Sequence, residues 1–403
     1  MLYEESSQAF KWQLSSLVEL NSLRERANRR ARDVLSREDA APLEVYGFAD
    51  TRGDRPKPTT DDQVVQLMSE HDPNYGPTKT SQARGSTALL TPSDETLLLS
   101  FYCSKIPLLI GPHATLPRCK RDAKVAATAS LLFRRFYLSN SVMIHDPKTM
   151  LAAAAFLAAK VEDCMLDVRY LEMGTKEMNA PVPLTDILDA EIRLMKGIDF
   201  DLLVFSPYKT IVPIVEDLRT FLKSERGKGL VKWKKGEERQ LEREDLRPVH
   251  DMAMKIVDDV IVSDIPLMYA PGEVGTAALV VANEDVCNNQ RKGNDEDGGG
   301  GGVEGDKVES PEIDIVGYVR SRFEDTDESG VVVDTAAIDA LVERVSRLAQ
   351  LIRELREGKH GCGNYNADMN ELKGVNKKLK KCRAWGSSDK KDKKKRKRKQ
   401  AEE

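Results

Sequence analysis

The stretch MLAAAAFLAAKVED, residues 150–163, decides how this chain is read. From Met150 to Ala159 every residue is apolar, and the run stops at Lys160. A helix that is apolar on every side belongs at the centre of a bundle. Just upstream, Asp146 and Pro147 supply an N-cap acceptor and a first-turn proline for it. The lysine that ends such a helix therefore marks the point where a core element reaches the surface.

Working outward, the pattern is helical throughout. Residues 15–35 predict one amphipathic helix, opened by Ser16 and Glu19 as a capping-box pair. Residues 36–92, rich in Asp, Pro, Thr, Gly and Arg, have no sustained period and predict a disordered insertion. DETLLLSFYCSKIPLLI (94–110) predicts the next helix. Pro117 opens another, with Val125, Ala129, Leu132, Phe133 and Phe136 on one face, and PLTDILDAEIRLMKGIDFDL (183–202) follows the apolar one. A second series begins at Ser206-Pro207. It continues with a helix opened by Pro248, an alanine-rich one opened by Pro271 (PGEVGTAALVVAN), and one over 335–357. Each series thus places a proline-started, alanine-rich helix third among about five. The fold class expected is all-α, with two tandem five-helix bundles and extra terminal helices.

The domains expected are an N-terminal segment (1–36), the insertion (37–92), a first bundle (93–205), a second (206–357) and a C-terminal segment (358–403). The second bundle carries charged and glycine-rich flexible insertions at 223–245 and 284–312. Residues 366–383 predict one further charged helix. From Glu371 onward 15 Lys or Arg face 5 acids, so the net charge of −4 hides a basic tail on an acidic body.

Chemistry-bearing patterns are sparse. Six scattered cysteines form no CxxC pair, which fits reduced thiols rather than a zinc site or disulfide framework. Five histidines stand far apart, and only His360-Gly-Cys362 approaches a ligand spacing. There is no Walker loop, G-x-G-x-x-G or G-x-S-x-G. MLYEESSQAFKW has no apolar signal core, and the longest apolar run is too short to span a bilayer. A binding or regulatory protein is expected, without catalytic residues, metal or cofactor, and without membrane attachment.

Several stretches resemble the cyclin family, in the branch that serves the CDK-activating kinase. They are SSQAFKWQLSS (6–16), LRERANRR (23–30), LLFRRFYLSNSVMIHDPKTMLAAAAFLAAKVED (131–163), ILDAEIRLMKGIDFDLLVFSPY (187–208) and, more weakly, YAPGEVGTAAL (269–279). The resemblance implies two cyclin boxes and a role in binding and activating a cyclin-dependent kinase. It also implies that Lys160 and Glu191 form the pair that grips the kinase. Met195, Phe200 and Leu202 would belong to the apolar part of that interface, with Phe156 behind. An assembly factor and the TFIIH core are implied as further partners, with work in cell-cycle control and in transcription by RNA polymerase II.

Where substrate-docking cyclins carry Met-Arg-Ala-Ile-Leu, Glu95-Thr-Leu-Leu-Leu99 stands here, so docking of that type is not expected. Arg32-Asp-Val-Leu35 fits the loose R-x-x-L degradation pattern, and Thr91-Pro92 and Ser310-Pro311 the minimal proline-directed phosphorylation pattern. KKDKKKRKRK (390–399) reads as a nuclear import signal, making the nucleus the expected location. The alternatives are another transcriptional cyclin, of the C, K, L or T type, and a TFIIB-like factor. The latter begins with a zinc ribbon, and no cysteine precedes Cys103. Sequence-specific DNA binding is not expected.

Overall fold

The computed structural model describes residues 2–36, 45–49, 89–233, 239, 241–296, 311–324, 335–358 and 369–382. Its helices are α1 (Leu17–Ser36), α2 (Pro92–Cys103), α3 (Ile106–Ile110), α4 (Ala123–Phe136), α5 (Pro147–Val161), α6 (Val168–Glu177), α7 (Leu184–Gly197), α8 (Tyr208–Phe221), α9 (Glu225–Lys228), α10 (Arg243–Val260), α11 (Ile265–Met268), α12 (Pro271–Glu296), α13 (Ile315–Phe323), α14 (Thr335–Arg356) and α15 (Met369–Cys382). Two short strands, β1 (Val231–Lys232) and β2 (Glu312–Ile313), and short helical turns at Tyr3–Glu5, Gln8–Trp12 and Pro117–Cys119 complete the list. Most of the 37–92 insertion, residues 297–310 and the tail from 383 lie outside the described residues. The chain divides into two compact units. One holds Met1–Val204 with Ile261–Met268 and Cys362–Glu403, and the other Phe205–Val260 with Tyr269–Gly361.

In the first unit α5 is the axis. Asp146 accepts from the Lys148 N–H, Pro147 takes the first turn, and Met150 to Ala159 are all buried. Alanine along this run lets α4 and α7 close in on the helix. Gly197, at the end of α7, lies against Phe136, where a Cβ would collide with the ring.

The predicted helix over 94–110 breaks at Ser104-Lys105, because Pro107 restarts the chain as α3. Pro117 opens only a 3-10 turn, and α4 begins at Ala123. The capping box of α1 is displaced by one residue. Glu19 N–H donates to Ser16 Oγ, while its carboxylate reaches back to the Ser15 N–H (2.7 Å) and hydroxyl (2.9 Å). α15 packs on α2 through buried Leu372, Val375 and Leu379, with Lys378 3.2 Å from Asp94.

A buried ion triad ties this unit together. Asp264 accepts from both terminal nitrogens of Arg24 (2.9 and 2.6 Å) and from Arg134, which also donates to the Val262 carbonyl. Burial alone would raise the Asp264 carboxyl. Arg134 and then Arg24 outweigh it and hold its pKa at about 2.

The second unit repeats the scheme with α8, α10, α12, α13 and α14, and α12 is its buried axis. Gly275 lies against Thr210 of α8, where a Cβ would meet the hydroxyl. Tyr208 donates to Asp258 (2.5 Å) and Tyr318 to Asp217 (2.5 Å). Three expectations change here. α10 starts at Arg243 rather than Pro248, since Asp245 accepts from the Glu242 N–H and turns the chain into helix early. Pro248, sixth in the helix, then forfeits one hydrogen bond in its second turn. α12 runs on through the predicted start of the 284–312 insertion, because Val286 and Cys287 continue its buried stripe. Within the predicted flexible stretch 223–245, α9 forms and β1 pairs antiparallel with β2 (Val231 with Ile313, Lys232 with Glu312).

Candidate protein-docking site

The sequence-predicted site residues gather on one face of the first unit, at the end of α5 and along α7. Lys160 stands in the last turn of α5, where a cation meets the negative end of the helix dipole. Its Nζ lies 2.8 and 2.9 Å from the two carboxylate oxygens of Glu191 on α7. It also sits 4.1 Å from the centroid of the Phe156 ring, one turn back on its own helix.

The pair is unequal in exposure, and that decides what it can do. The Glu191 side chain is 9% exposed and the Lys160 side chain 52%. A carboxylate held inside fixes the direction of an ammonium that faces out. Two of its three N–H groups serve Glu191. The third has no partner among the described residues, so it is free to donate to an acceptor on another molecule.

An apolar rim surrounds this cation. Met195 and Leu202 are half-buried, and Phe200 is 62% exposed. Sequence reasoning missed Leu188 and Ile192, which share the outer face of α7 with Met195 and are 38% and 53% exposed. The signal was present. α7 carries one apolar stripe at Ile187, Ala190 and Leu194, which is buried, and a second at 188, 192 and 195 that a helix with a single packed face does not need. Phe200 reaches the surface on a left-handed turn, with φ 52° at Asp199 and 58° at Phe200, closed by the Phe200 N–H on the Met195 carbonyl at 2.9 Å.

The second unit carries a counterpart of opposite layout. Glu284 of α12 lies thirteen residues after the opening proline Pro271, just as Lys160 lies thirteen after Pro147. It is met by Arg353 of α14, with N···O distances of 2.9 and 2.7 Å, and the next acid, Asp285, pairs with Arg356.

Among the described residues no group of His, Cys, Asp or Glu is placed to hold a metal ion, and no helix is long and apolar enough to cross a membrane. The site thus combines a half-exposed cation, held by a buried carboxylate, with hydrophobic side chains at the surface.

Two helical bundles, each built around an alanine-rich central helix, are the cyclin architecture, and residues 117–203 match the family described as Cyclin, N-terminal domain. The match to that family covers part of the first unit. The proteins to which the chain is similar include cyclin H of several organisms. The chain is 27% identical over 194 residues to Cyclin-H1-1 of Arabidopsis thaliana, covering 48% of this chain and 50% of that protein. It is 32% identical over 130 residues to the putative cyclin-H of Dictyostelium discoideum, covering 32% of this chain and 42% of that protein. The chain spans about half the length of the curated relatives it matches. In fold it is similar to a chain in the structure of the CAK complex from Chaetomium thermophilum bound to ATP-gamma-S, with a TM-score of 0.57 and 21% identity over 94% of this chain and 88% of that one.

Proposed function

We propose that the chain is a cyclin H-like regulatory subunit that binds and activates a cyclin-dependent kinase of the CDK-activating type. The observation that carries this reading is the Lys160–Glu191 pair, anchored inside, presented outside and rimmed by Met195, Phe200 and Leu202. A protein kinase is active only when its strand lysine pairs with the glutamate of its mobile C-helix. A rigid face that binds that helix only in its inward position shifts the equilibrium by its differential affinity. Lys160 suits this task, since its spare N–H can cap a carbonyl at the end of the kinase helix. The chain contributes no reacting group and activates by binding alone.

The further reading follows from the resemblance of the sequence and from its basic tail. The boxes are 93–205 and 206–357, the location is the nucleus, and an assembly factor and the TFIIH core complete the set of partners in cell-cycle control and RNA polymerase II transcription. Affinity purification of the full chain with mass spectrometry tests it. Recovery of a CDK-activating kinase with TFIIH subunits is expected, whereas recovery of a different kinase, or of none, contradicts it.

A further inference from the structure

The turn after α7 is unusual in having two successive left-handed residues, Asp199 and Phe200, neither of them glycine. Side chains disfavour that region, so such a turn persists only where its surroundings impose it. The imposing groups come from far away in sequence. Lys11 Nζ lies 3.0 Å from the Asp199 carboxylate and 2.6 Å from that of Asp201, gripping both neighbours of Phe200 at once. Trp12 Nε1 donates to Asp201 (3.1 Å), and the Ala49 N–H donates to Asp199 (2.8 Å).

Beneath the turn lies Arg135 of α4, fully buried. Its guanidinium sits 5.0 Å from the centroid of the Trp12 ring, and Nη1 reaches the carbonyls of Asp201 and Leu203 at 3.5 and 3.4 Å. Its Nε and Nη2 have no hydrogen-bond partner among the described residues. Burial pushes this guanidinium down to about 9, and Asp201 offsets only part of that. A buried cation so incompletely satisfied contributes poorly to stability, and an apolar side chain of similar volume would pack there at least as well. What it does supply is direction, by holding two carbonyls of the turn.

We propose that Lys11, Trp12 and Arg135 form a lock that keeps Asp199 and Phe200 left-handed and so presents Phe200 to the kinase. They are positioning residues for the docking surface, and the inference rests on the kinase-binding reading above. The N-terminal segment is then a working part of that surface, although it lies outside the cyclin box.

Two measurements on the full-length chain separate the lock from the reading beneath it. The first is amide hydrogen exchange without kinase. Lys11→Ala and Arg135→Met should each speed exchange at 199–203 about tenfold or more, as loss of a charge-assisted tie implies, and leave α5 protected as before. Arg135→Met should not lower the melting temperature, an outcome that a purely structural role would not give. The second is binding to a purified CDK-activating kinase catalytic subunit. Both variants should weaken it about tenfold or more, and Lys11→Arg should restore binding to within about threefold of the wild type.

Unchanged exchange at 199–203 in both variants overturns the lock. Faster exchange with undiminished binding overturns its role in docking. If the wild type itself fails to bind, the kinase reading fails, while the exchange measurement still decides whether the lock exists.

Discussion

The two bundles use the same central helix and finish it in opposite ways. In the first, position thirteen after the opening proline is Lys160, whose buried partner Glu191 turns it outward amid exposed Leu188, Ile192 and Phe200. In the second the same position is Glu284, closed by Arg353, with Asp285 closed by Arg356 alongside. The only large hydrophobics of that unit exposed among the described residues are Val212 and Phe323, on other helices. One scaffold thus supports two endings: in the first a buried carboxylate leaves an ammonium N–H open, and in the second both partners of each ion pair lie at the surface. On the proposed reading, a helical repeat of this kind becomes a docking surface through what is left open at the end of its core helix.

The largest effect belongs to the tie that distinguishes the first unit. Asp264→Asn leaves Arg24 and Arg134 buried without their countercharge, and should cost about 3–5 kcal/mol of stability by chemical denaturation. The pH dependence has a definite sign. The carboxyl is held below its ordinary value, so its contribution is complete above about pH 4 and is lost as pH falls towards about 2. The Asp264→Asn variant should lack that acid-labile increment.

A smaller, symmetrical effect tests whether the two central helices are packed alike. Ala154 and Ala278 each lie seven residues after their opening proline and are fully buried. Ala154→Leu and Ala278→Leu should each cost about 1–3 kcal/mol, because neither bundle has room for added methylenes. A neutral result at one site would show that its helix is the more loosely packed. The smallest effect is expected at the closed ending. Glu284→Ala removes an exposed pair and should cost about 0.2–1 kcal/mol, with kinase binding unchanged.

Much of this was legible in the chain. Helix α5 follows from its apolar run and the Asp146-Pro147 start, and α12 from the same grammar at Pro271. The partnership of Lys160 with Glu191 was not readable from periodicity, since the two stand on separate helices; it came through likeness to a family. Leu188 and Ile192 escaped because a second apolar stripe on an amphipathic helix looks like ordinary scatter. Phe48 escaped for another reason. It is one aromatic in a long polar stretch, yet it is buried and stacks on Trp12 with ring centroids 4.4 Å apart. No local pattern announces a contact made by a single residue. The two-residue strands β1 and β2 are likewise too short for a period of two to be seen.

The central claim is that the Lys160 ending is an interface and the Glu284 ending is not. Swapping each pair tests this while preserving the internal attraction: Lys160→Glu with Glu191→Lys in one chain, Glu284→Arg with Arg353→Glu in another. Each is measured for binding to a CDK-activating kinase catalytic subunit. The account predicts a loss of about thirtyfold or more for the first swap and a change of less than about twofold for the second. Equal binding by both swapped chains, each folded as judged by its melting temperature, would contradict it.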